Sequence, residues 1–173
     1  GSCLYLVSNR YINWYWIQND LFITPRYRDS AAGTAMKELD YNSISYCPGY
    51  IYPNFVMVAG LNLNDSSQPA EVESFLGNGE NVYASPDKLY IALTDYSYNR
   101  PAKDSASPGN ENKTLIQCFN LGNGHVEYRG QGEVPGTIIN QFSMDEYQGR
   151  FRIATTTGYL WGSGDDVSRN NIY

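Results

Sequence analysis

The sequence predicts an all-β fold, and three observations support this prediction. Short stretches alternate apolar and polar residues with the period of two that is typical of strands. Clusters of Gly, Asn, Asp and Pro separate these stretches where turns are expected. Charged residues make up only 17% of the chain, whereas 16 tyrosines, 6 phenylalanines and 3 tryptophans favour strands over helices.

Length and charge limit the class of protein. The chain has 173 residues, of which 42% are hydrophobic, enough apolar surface for one domain or for part of a larger one. Its formal net charge is −6, whereas nucleic-acid binding needs a basic surface. The sequence contains no run of 18 apolar residues. A nucleic-acid partner and a transmembrane segment are therefore not expected.

The three cysteines do not form a recognisable metal or redox motif. Cys3, Cys47 and Cys118 have no CxxC spacing, and His125 is the one histidine of the sequence. A zinc site would need four ligands at characteristic spacing. Buried free thiols are predicted, and one disulfide plus a remaining thiol stays open as the alternative.

The clearest strand signal is a hairpin within Ile138–Gly158. Apolar and polar side chains alternate over Ile138–Met144 and again over Phe151–Thr156, as expected of two half-buried strands. The sequence Asp-Glu-Tyr-Gln-Gly at 145–149 lies between them and is predicted to form the turn.

The first part of the chain is predicted to hold three strands and a long insertion. Leu4–Asn9 is apolar on both faces, which is typical of a strand between two packed layers. Prolines and glycines break regular structure over Arg10–Asn54, although Ala31–Leu39 is predicted to form one or two helical turns. Strands are predicted again at Phe55–Leu63 and Val72–Leu76.

The middle of the chain is predicted to fold as two hairpins with a polar insertion between them. The first hairpin is Asn81–Thr94, in which Pro86 suits the second position of a type I turn. The insertion covers 95–113. The second hairpin joins Thr114–Leu121 to His125–Gly130 through a Gly-Asn-Gly turn.

Hairpins and insertions recur in one order, which indicates a repeat. Leu63 and Leu121, which end equivalent strands, are 58 residues apart, and Leu89 and Phe151 in the hairpins are 62 apart. Four strands per unit at such a period predict β-propeller blades. A single partial β-propeller domain of about two and a half repeats is expected, and a β-sandwich with irregular loops is the alternative. The units are predicted at 4–77, 81–132 and 137–173.

Each long insertion falls between the second and third strands of its unit. A third insertion, 159–170, precedes Asn171–Tyr173, which is predicted to begin another strand. In a propeller, these loops emerge on the same face as the links between blades, so the three insertions are expected to share one face. That insertion face is the predicted place for a ligand.

Several stretches resemble the secreted β-propeller domain proteins of bacteria and archaea, a family distantly related to WD-repeat propellers. The resemblance is specific over GENVYASPDKLYIALT and EVPGTIINQFSMDEYQGRFRIATTTG, and it extends to PRYRDSA, ELDYNSISYCPG and the closing RNNIY. It implies a propeller fold and an exported or surface-attached protein, of which this chain is a fragment with open edge strands. It implies no catalytic residues, because the family has no established activity.

Aromatic residues in the insertions are the strongest indication of a binding site. Trp14, Tyr15 and Trp16 are consecutive in the first insertion, and Trp161 lies in the third. Exposed aromatic side chains mark surfaces that bind proteins or sugars. The alternative is that these residues form a small core that packs the insertion onto the strands.

Two arginines of the first insertion form a second candidate binding site. Arg26 and Arg28 lie close to Asp29 in the sequence. They are predicted either to bind an anionic ligand or to form an internal ion pair with the acid, and the ion pair is the preferred interpretation.

Two pairs of adjacent acids are candidate calcium ligands. Asp145 and Glu146 lie in the predicted turn of the hairpin, and Asp165 and Asp166 lie in the third insertion. Neighbouring carboxylates can bind Ca²⁺ together with backbone carbonyls. The alternative is solvated acids that accept backbone N–H bonds. No other cofactor is expected.

A hydrolytic site would have to use acids from the insertions, because paired carboxylates at a defined separation cleave glycosidic bonds. His125 is predicted on the face opposite the insertions, which makes it a poor general base for a Ser-His-Asp triad. The acids expected near the insertion face are Asp20, Asp29, Asp95, Asp104 and Asp165.

These observations predict a non-enzymatic binding or scaffold module of a secreted or cell-surface protein, with a protein or glycan partner at the insertion face. A carbohydrate-active hydrolase and a calcium-stabilised structural module are the alternatives. Unpaired edge strands invite pairing. Leu4–Asn9 or Asn171–Tyr173 is therefore expected to pair with another chain or another copy.

Overall fold

The computed structural model describes residues 1–19, 23–46, 52–95, 112–158 and 167–173. Regular structure in these residues is mainly β-strand, so the all-β prediction is confirmed. The strands are β1 Cys3–Tyr11, β2 Arg26–Tyr27, β3 Lys37–Glu38, β4 Ile44–Tyr46, β5 Asn54–Asn62, β6 Glu71–Leu76, β7 Asn81–Ala84, β8 Lys88–Asp95, β9 Lys113–Gly122, β10 His125–Pro135, β11 Met144–Tyr147, β12 Arg150–Thr157 and β13 Arg169–Ile172. One short helix, α1, covers Trp14–Gln18, and within the described ranges no helix is long and apolar enough to cross a membrane.

The described chain forms two compact units. Unit 1 consists of Gly1–Gly79 and Phe119–Tyr128, and unit 2 consists of Glu80–Cys118 and Arg129–Tyr173. β9 and β10 therefore contribute residues to both units. The three repeat units expected from the sequence stay a prediction.

The first sheet belongs to unit 1 and has the strand order β1-β5-β6-β4. β1 and β5 pair antiparallel along their whole length, from Cys3 opposite Asn62 to Tyr11 opposite Asn54. β6 pairs antiparallel with β5. β4 joins β6 in parallel. Sequence patterning missed this pairing, because β4 is a three-residue strand inside the insertion.

The first insertion leaves this sheet at the end of β1 and returns to it at the start of β5. Asn54 holds these two ends of the insertion together. Asn54 is buried and stands opposite Tyr11, the last residue of β1. Its Oδ1 accepts the Ile12 N–H at 2.9 Å, and its backbone oxygen accepts the Gly77 N–H at 2.8 Å. These bonds satisfy backbone groups at the strand ends, so the long insertion is anchored without interrupting the ladder.

The helical prediction for Ala31–Leu39 is wrong, and a helix forms elsewhere in the insertion. Gly33 has a φ of 119°, which interrupts a right-handed helix, and Lys37–Glu38 instead pairs with β2. The helix forms at Trp14–Gln18, where the Asn13 side chain caps the first turn by accepting a backbone N–H.

The second sheet has the strand order β10-β9-β8-β7. β7 and β8 form the first predicted hairpin, with Tyr83 opposite Tyr90. β9 and β10 form the second, joined by Asn123 and Gly124 with φ of 53° and 84°. A type I′ hairpin turn needs positive φ at both positions, and Asn-Gly is the preferred pair for this geometry. Both hairpin predictions are confirmed.

The third sheet belongs to unit 2 and has the strand order β11-β12-β13. Its first strand begins later in the chain than the hairpin prediction placed it. Residues 138–143 do not form a strand, despite their alternating pattern. The Asn140 side chain accepts the Phe142 N–H at 2.9 Å and begins a 3-10 turn at Gln141–Ser143. The predicted strand at the end of the sequence is confirmed as β13, which pairs with β12.

The turn of this hairpin also lies later than predicted. Asp145 and Glu146 are in β11, where Asp145 stands opposite Arg152. The turn is Gln148–Gly149, with φ of 51° and 73°. Both residues adopt the left-handed conformation that a two-residue hairpin turn requires. The acidic pair therefore belongs to a strand and not to a solvated turn.

Each unit has its own core. In unit 1, Phe75 and Phe119 pack edge to face, with ring centroids 5.0 Å apart, and Tyr128 packs against both. In unit 2, the Tyr90 ring stacks on Phe151, with centroids 4.1 Å apart. The other buried residues of this second cluster are Ala92, Ile116, Ile138, Met144 and Ile153.

Two of the three cysteines lie in the described part of the chain, and neither forms a disulfide. Cys3 and Cys118 are free thiols, as predicted, but both are half-buried rather than buried. Cys47 lies outside the described residues.

Candidate functional site

One end of the first sheet carries the long insertion. A single row of paired residues crosses all four strands there: Arg10 is opposite Phe55, Phe55 is opposite Leu76, and Leu76 is opposite Tyr46. Neighbouring strands lie about 4.8 Å apart, so this row is about 14 Å wide.

Four tyrosines beside this row keep much of their side chains in solvent. Tyr11 is 60% exposed, Tyr15 65%, Tyr46 63% and Tyr52 43%. Tyr11 ends β1, and Tyr52 precedes β5, where its backbone oxygen accepts the Asn54 N–H at 2.8 Å. Tyr15 lies in α1, which begins shortly after β1 ends. We call this end of the first sheet, with its four exposed tyrosines, the insertion end.

Of the consecutive aromatic residues predicted as a binding site, one packs against the insertion and one is exposed to solvent. Trp16 is half-buried, and the Arg10 guanidinium carbon lies 4.9 Å from its ring centroid in a cation–π contact. Arg10 is held because its Nε donates to the Ile23 oxygen at 3.1 Å. Trp16 therefore packs the insertion, whereas the neighbouring tyrosine is exposed. The side chain of Trp14 and the whole of Trp161 lie outside the described residues.

Arg26 forms an internal ion pair, and its partner is Glu38 rather than Asp29. The Arg26 Nη2 lies 2.8 Å from Glu38 Oε2 across the β2–β3 ribbon. Hydrogen bonds from the Thr24 hydroxyl and then from Arg26 hold the pKa of Glu38 below its usual value. Arg26 therefore supports the fold of the insertion.

Asp29 is bound to backbone groups, and Arg28 is exposed beside it. Asp29 Oδ2 accepts the Ala70 N–H at 2.7 Å, and Oδ1 accepts the Ala31 N–H at 2.9 Å. These bonds, the one from Ala70 above all, lower the pKa of Asp29. Among the described acidic residues, none forms an ion pair with Arg28.

A cavity of about 320 Å³ lies on one face of the first sheet. Its lining includes the apolar side chains of Leu6, Met57 and Val72, together with Tyr27 and Arg28. We call this cavity the sheet-1 groove. It contains one of the predicted binding residues, Arg28, and none of the tyrosines of the insertion end.

In unit 2, Asp145 forms a surface ion pair across its hairpin. Arg152 donates to Asp145 through Nε, at 2.8 Å, and through Nη2. The Arg152 hydrogen bond lowers the pKa of Asp145. Both side chains are about half exposed, so water and salt screen their attraction.

Glu146 lies at the centre of a polar cluster in unit 2. Its side chain is 10% exposed and accepts hydrogen bonds from Lys88 Nζ at 3.2 Å and from the Tyr90 hydroxyl at 3.1 Å. The Glu146 N–H donates to the Tyr83 hydroxyl at 2.9 Å. Burial alone would raise the pKa of Glu146, but hydrogen bonds from Lys88 and two hydroxyls outweigh it, and the pKa is lowered.

Glu146→Gln is expected to reduce the free energy of unfolding by about 1–3 kcal/mol near neutral pH, because Lys88 and Tyr90 lose a charged acceptor. The folded pKa of Glu146 lies below the value of 4.5 for an unperturbed glutamate. Its contribution is therefore present above about pH 4.5 and is lost as the pH falls through the folded pKa. Urea unfolding should show the difference between the two proteins shrinking as the pH falls below about 4.5.

Asp145→Asn is the matched control for this prediction, since Asp145 precedes Glu146 in the same strand but is exposed. It is expected to cost much less stability than the Glu146 change. Equal losses of stability for the two variants, or a Glu146 effect that does not depend on pH, would show that the cluster around Glu146 contributes no more stability than an exposed ion pair.

The predicted metal ligands are only partly described. The described residues contain no group of three or more His, Cys, Asp or Glu side chains placed to hold a metal ion. Asp145 and Glu146 point to Arg152 and Lys88 respectively. Asp165–Asp166 lies outside the described residues.

Those candidate hydrolytic residues that the structure describes all have bonding partners. His125 Nδ1 lies 2.9 Å from Glu71 Oε2, and the same carboxylate accepts the Val126 N–H at 3.1 Å. Asp29 is engaged with backbone groups, as described above, and Asp95 also has a bonding partner. The acids outside the described residues are Asp20, Asp104 and Asp165.

Sequence reasoning identified Tyr15 but missed the other tyrosines of the insertion end. A usable signal was present, because Tyr11 and Tyr52 flank the insertion next to the predicted strands Leu4–Asn9 and Phe55–Leu63. Residues at the two bases of one insertion must meet at one sheet end. Tyr46 could not be placed, because the parallel pairing of β4 with β6 was not predicted.

Comparison with known proteins connects this architecture to a family. An uncharacterised protein of Archaeoglobus fulgidus is 31% identical over 157 residues, which cover 87% of this chain and 23% of that protein. An uncharacterised protein of Methanocaldococcus jannaschii is 43% identical over 60 residues, which cover 35% of this chain and 9% of that protein. The chain thus spans less than a quarter of the first relative. The family model described as "Beta propeller domain" matches residues 1–173, and the chain belongs to that family.

Proposed function

We propose that the chain is a non-enzymatic binding module that recognises a protein or glycan through its insertion end. The observation that supports this proposal is the exposure of Tyr11, Tyr15, Tyr46 and Tyr52 beside one row of the first sheet. Tyrosine gives a large amphipathic contact area at a low cost in conformational entropy. Several exposed aromatic side chains at one place are typical of interaction surfaces.

The surroundings of these tyrosines support a recognition role, because specific contacts hold the insertion in place. Asn54 ties the two bases of the insertion together, Arg10 packs on Trp16, and Arg26 is paired with Glu38. A binding surface gains affinity when its residues are already held in place before the partner arrives.

Within the described ranges, acids that a hydrolytic site could use are engaged in structural bonds, which favours binding over the alternative of a carbohydrate-active hydrolase. Asp29 accepts two backbone N–H bonds, Asp145 pairs with Arg152, and Glu146 bonds Lys88. A general acid or base must exchange a proton with the substrate. Carboxylates that stay charged in structural bonds are poorly suited to this task.

We also propose that the module works outside the cell or at its surface. The resemblance of the hairpin stretches to secreted propeller proteins supports this setting. The alternative of a calcium-stabilised module makes a separate claim: thermal unfolding in excess CaCl₂ would then occur several degrees higher than in EDTA. Equal unfolding temperatures would remove that alternative.

Replacing both Tyr15 and Tyr52 with serine is expected to weaken the partner's binding at least about tenfold, about 1.4 kcal/mol. The probes are a glycan array and a displayed peptide library, each screened against the intact chain. A glycan probe whose binding is lost in the double variant would identify a sugar partner. A peptide probe whose binding is lost would identify a protein partner.

Tyr147→Ser is the matched control, because Tyr147 is 57% exposed but lies in unit 2. The Tyr147→Ser protein should still bind every probe that the Tyr15/Tyr52 double variant no longer binds. If no probe distinguishes the two variants, the insertion end is not the recognition surface.

A further inference from the structure

Two stretches of the sequence have the Asn-x-Ser/Thr pattern, with x other than proline, that marks asparagines able to accept an N-linked glycan. They are Asn64-Asp65-Ser66 and Asn112-Lys113-Thr114. So short a pattern also arises by chance in a chain that is rich in asparagine. Whether either motif is used therefore depends on how the fold presents its asparagine and its hydroxyl group.

A glycosyl transferase must reach both ends of such a motif. It reads the hydroxyl of the Ser or Thr and joins the sugar to the side-chain amide of the asparagine. The glycan is bulky, so the asparagine has to lie on the surface. A usable motif thus needs an exposed asparagine and an accessible hydroxyl two residues later.

The first motif meets both conditions. It lies in the connection between β5, which ends at Asn62, and β6, which begins at Glu71. Residues 63–69 are all exposed. Within the described ranges, no hydrogen bond involves the side-chain amide of Asn64 or the hydroxyl of Ser66. Both groups that a transferase must engage are therefore accessible.

Neighbouring side chains close this connection without using either group. The Asn62 side chain accepts the Asn64 N–H at 3.0 Å. The Asp65 carboxylate accepts the N–H and the hydroxyl of Ser67 at 3.0 and 2.6 Å. Short polar side chains commonly bond backbone groups two residues further on in this way. The backbone around the motif is thus held, whereas its two reactive positions stay in solvent.

The second motif is part of a buried strand end. The Asn112 backbone oxygen accepts the Gly136 N–H at 2.7 Å, and the Thr114 hydroxyl donates to the Gly136 oxygen at 2.8 Å. Thr114 is completely buried, and it belongs to β9, Lys113–Gly122. A transferase could read this hydroxyl only if the start of β9 left its sheet. The folded chain therefore contains its own negative control.

The exposed motif lies at the end of the first sheet opposite the insertion end. β5 begins at Asn54, which anchors the insertion, and ends two residues before Asn64. A strand of nine residues is about 27 Å long. A glycan on Asn64 would therefore cover the far end of the sheet and leave the tyrosines of the insertion end free.

We propose that Asn64 is a site of N-linked glycosylation, whose donor is an oligosaccharide linked through phosphate to a lipid carrier. The Asn64 Nδ2 attacks the anomeric carbon of the first sugar, and a C–N bond forms. The bond from that carbon to the phosphate oxygen of the carrier breaks, and the phosphate leaves with the bonding electrons. One amide proton passes to a base of the transferase. The proposal rests on the extracellular setting proposed above, and not on binding at the insertion end.

The first test offers the intact folded chain to a purified archaeal oligosaccharyltransferase with its lipid-linked oligosaccharide. The mass of the chain should increase by one glycan, and mass spectrometry of proteolytic peptides should place this glycan on Asn64. Modification of Asn112 should be at least about tenfold less, because a buried motif is reached only through local opening. Equal modification of the two asparagines would contradict the structural argument.

Two comparisons separate the fold from the sequence of the motifs. Synthetic peptides of residues 60–70 and 108–117 each contain one motif without the fold, and the second should be modified at least as readily as the first. A second peptide that is not modified would assign the selectivity to sequence and remove the role of the fold. In the intact chain, Ser66→Ala should abolish modification of Asn64, whereas Ser67→Ala changes the next exposed serine and should preserve it.

The second test examines the same peptides from the protein isolated from the cells that make it, where the Asn64 peptide should carry a glycan. An unmodified Asn64 in that protein overturns the proposal even if the purified transferase accepts the site. If the protein then comes from the medium or the cell surface, the modification alone is refuted. If it comes from the cytoplasm, the extracellular setting is refuted as well. Binding at the insertion end is judged separately, by the Tyr15 and Tyr52 variants.

Discussion

Gly60→Ala is expected to lower the free energy of unfolding by about 3 kcal/mol or more, the upper range for added atoms in a packed site. Gly60 lies in β5, and a Cβ there would overlap the Gly124 carbonyl oxygen and lie 2.8 Å from its carbon. Rotation of a side chain cannot relieve an overlap with backbone. Urea unfolding of the intact chain at 25 °C measures the loss.

The turn that contains Gly124 cannot easily move away from the added methyl group. Gly124 has a φ of 84°, and its N–H donates to the Tyr5 hydroxyl at 3.2 Å. Gly122→Ala is the matched control, because a Cβ at that position has no heavy atom within 4 Å. Its effect should stay within about 0.5 kcal/mol. Similar losses at Gly60 and Gly122 would mean that strand propensity, and not the close approach, explains both.

This pair of glycines shows what the sequence could and could not predict about the fold. Gly60 lies within the predicted strand Phe55–Leu63, which is confirmed, whereas Gly122 was predicted in the Gly-Asn-Gly turn and is the last residue of β9. The close approach of Gly60 to Gly124 joins residues far apart in the chain. Local pattern contains no information about such a contact, so nothing in the sequence marks Gly60 as the glycine that an added methyl group would disturb.

The prediction failed at residues 138–143 for a different reason. Alternation of apolar and polar residues there is as regular as in the true strands, but the Asn140 side chain bonds the Phe142 N–H and begins a 3-10 turn. A side chain that competes for backbone bonds can override a period-two pattern. The displaced turn changed the interpretation of Glu146, which lies in a strand and bonds Lys88 instead of standing in an exposed turn.

The sequence pointed to the aromatic insertion but not to the individual tyrosines that are exposed there. Of the aromatic residues that it singled out, Tyr15 is exposed. Trp16, the residue next to Tyr15 in the sequence, is instead half-buried against Arg10. Which aromatic residue packs and which is exposed depends on the capped helix α1 and on long-range partners, and neither can be read from composition.

Three acids have structural roles in the described chain. Asp29, Glu38 and Glu146 each anchor an element through hydrogen bonds, and each has a lowered pKa as a result. Asp29 and Glu38, which lie in the first insertion, keep their charge near neutral pH, whereas the residues that define the proposed recognition surface are tyrosines. Recognition at the insertion end would then depend little on salt, in contrast to binding through charged residues.

Phe119→Ala is expected to lower the free energy of unfolding by about 3–5 kcal/mol, the range for deleting a buried phenylalanine. Phe119 is completely buried in unit 1, edge to face with Phe75 and 5.7 Å from the Tyr128 ring centroid. The change removes one of three mutually packed rings, so both remaining rings lose contacts and a cavity is left behind. Urea unfolding measures the loss, and a midpoint that falls at constant slope would assign it to stability.

Phe142→Ala is the matched control, because the same side chain is deleted from a position that is 86% exposed. Its effect should be within about 0.5 kcal/mol. A loss below about 1 kcal/mol for Phe119→Ala would mean that the surrounding side chains collapse into the space. The aromatic cluster would then not be a rigid support for the first sheet, and the fixed presentation of the insertion end would have to rest on Asn54 and the Arg26–Glu38 pair instead.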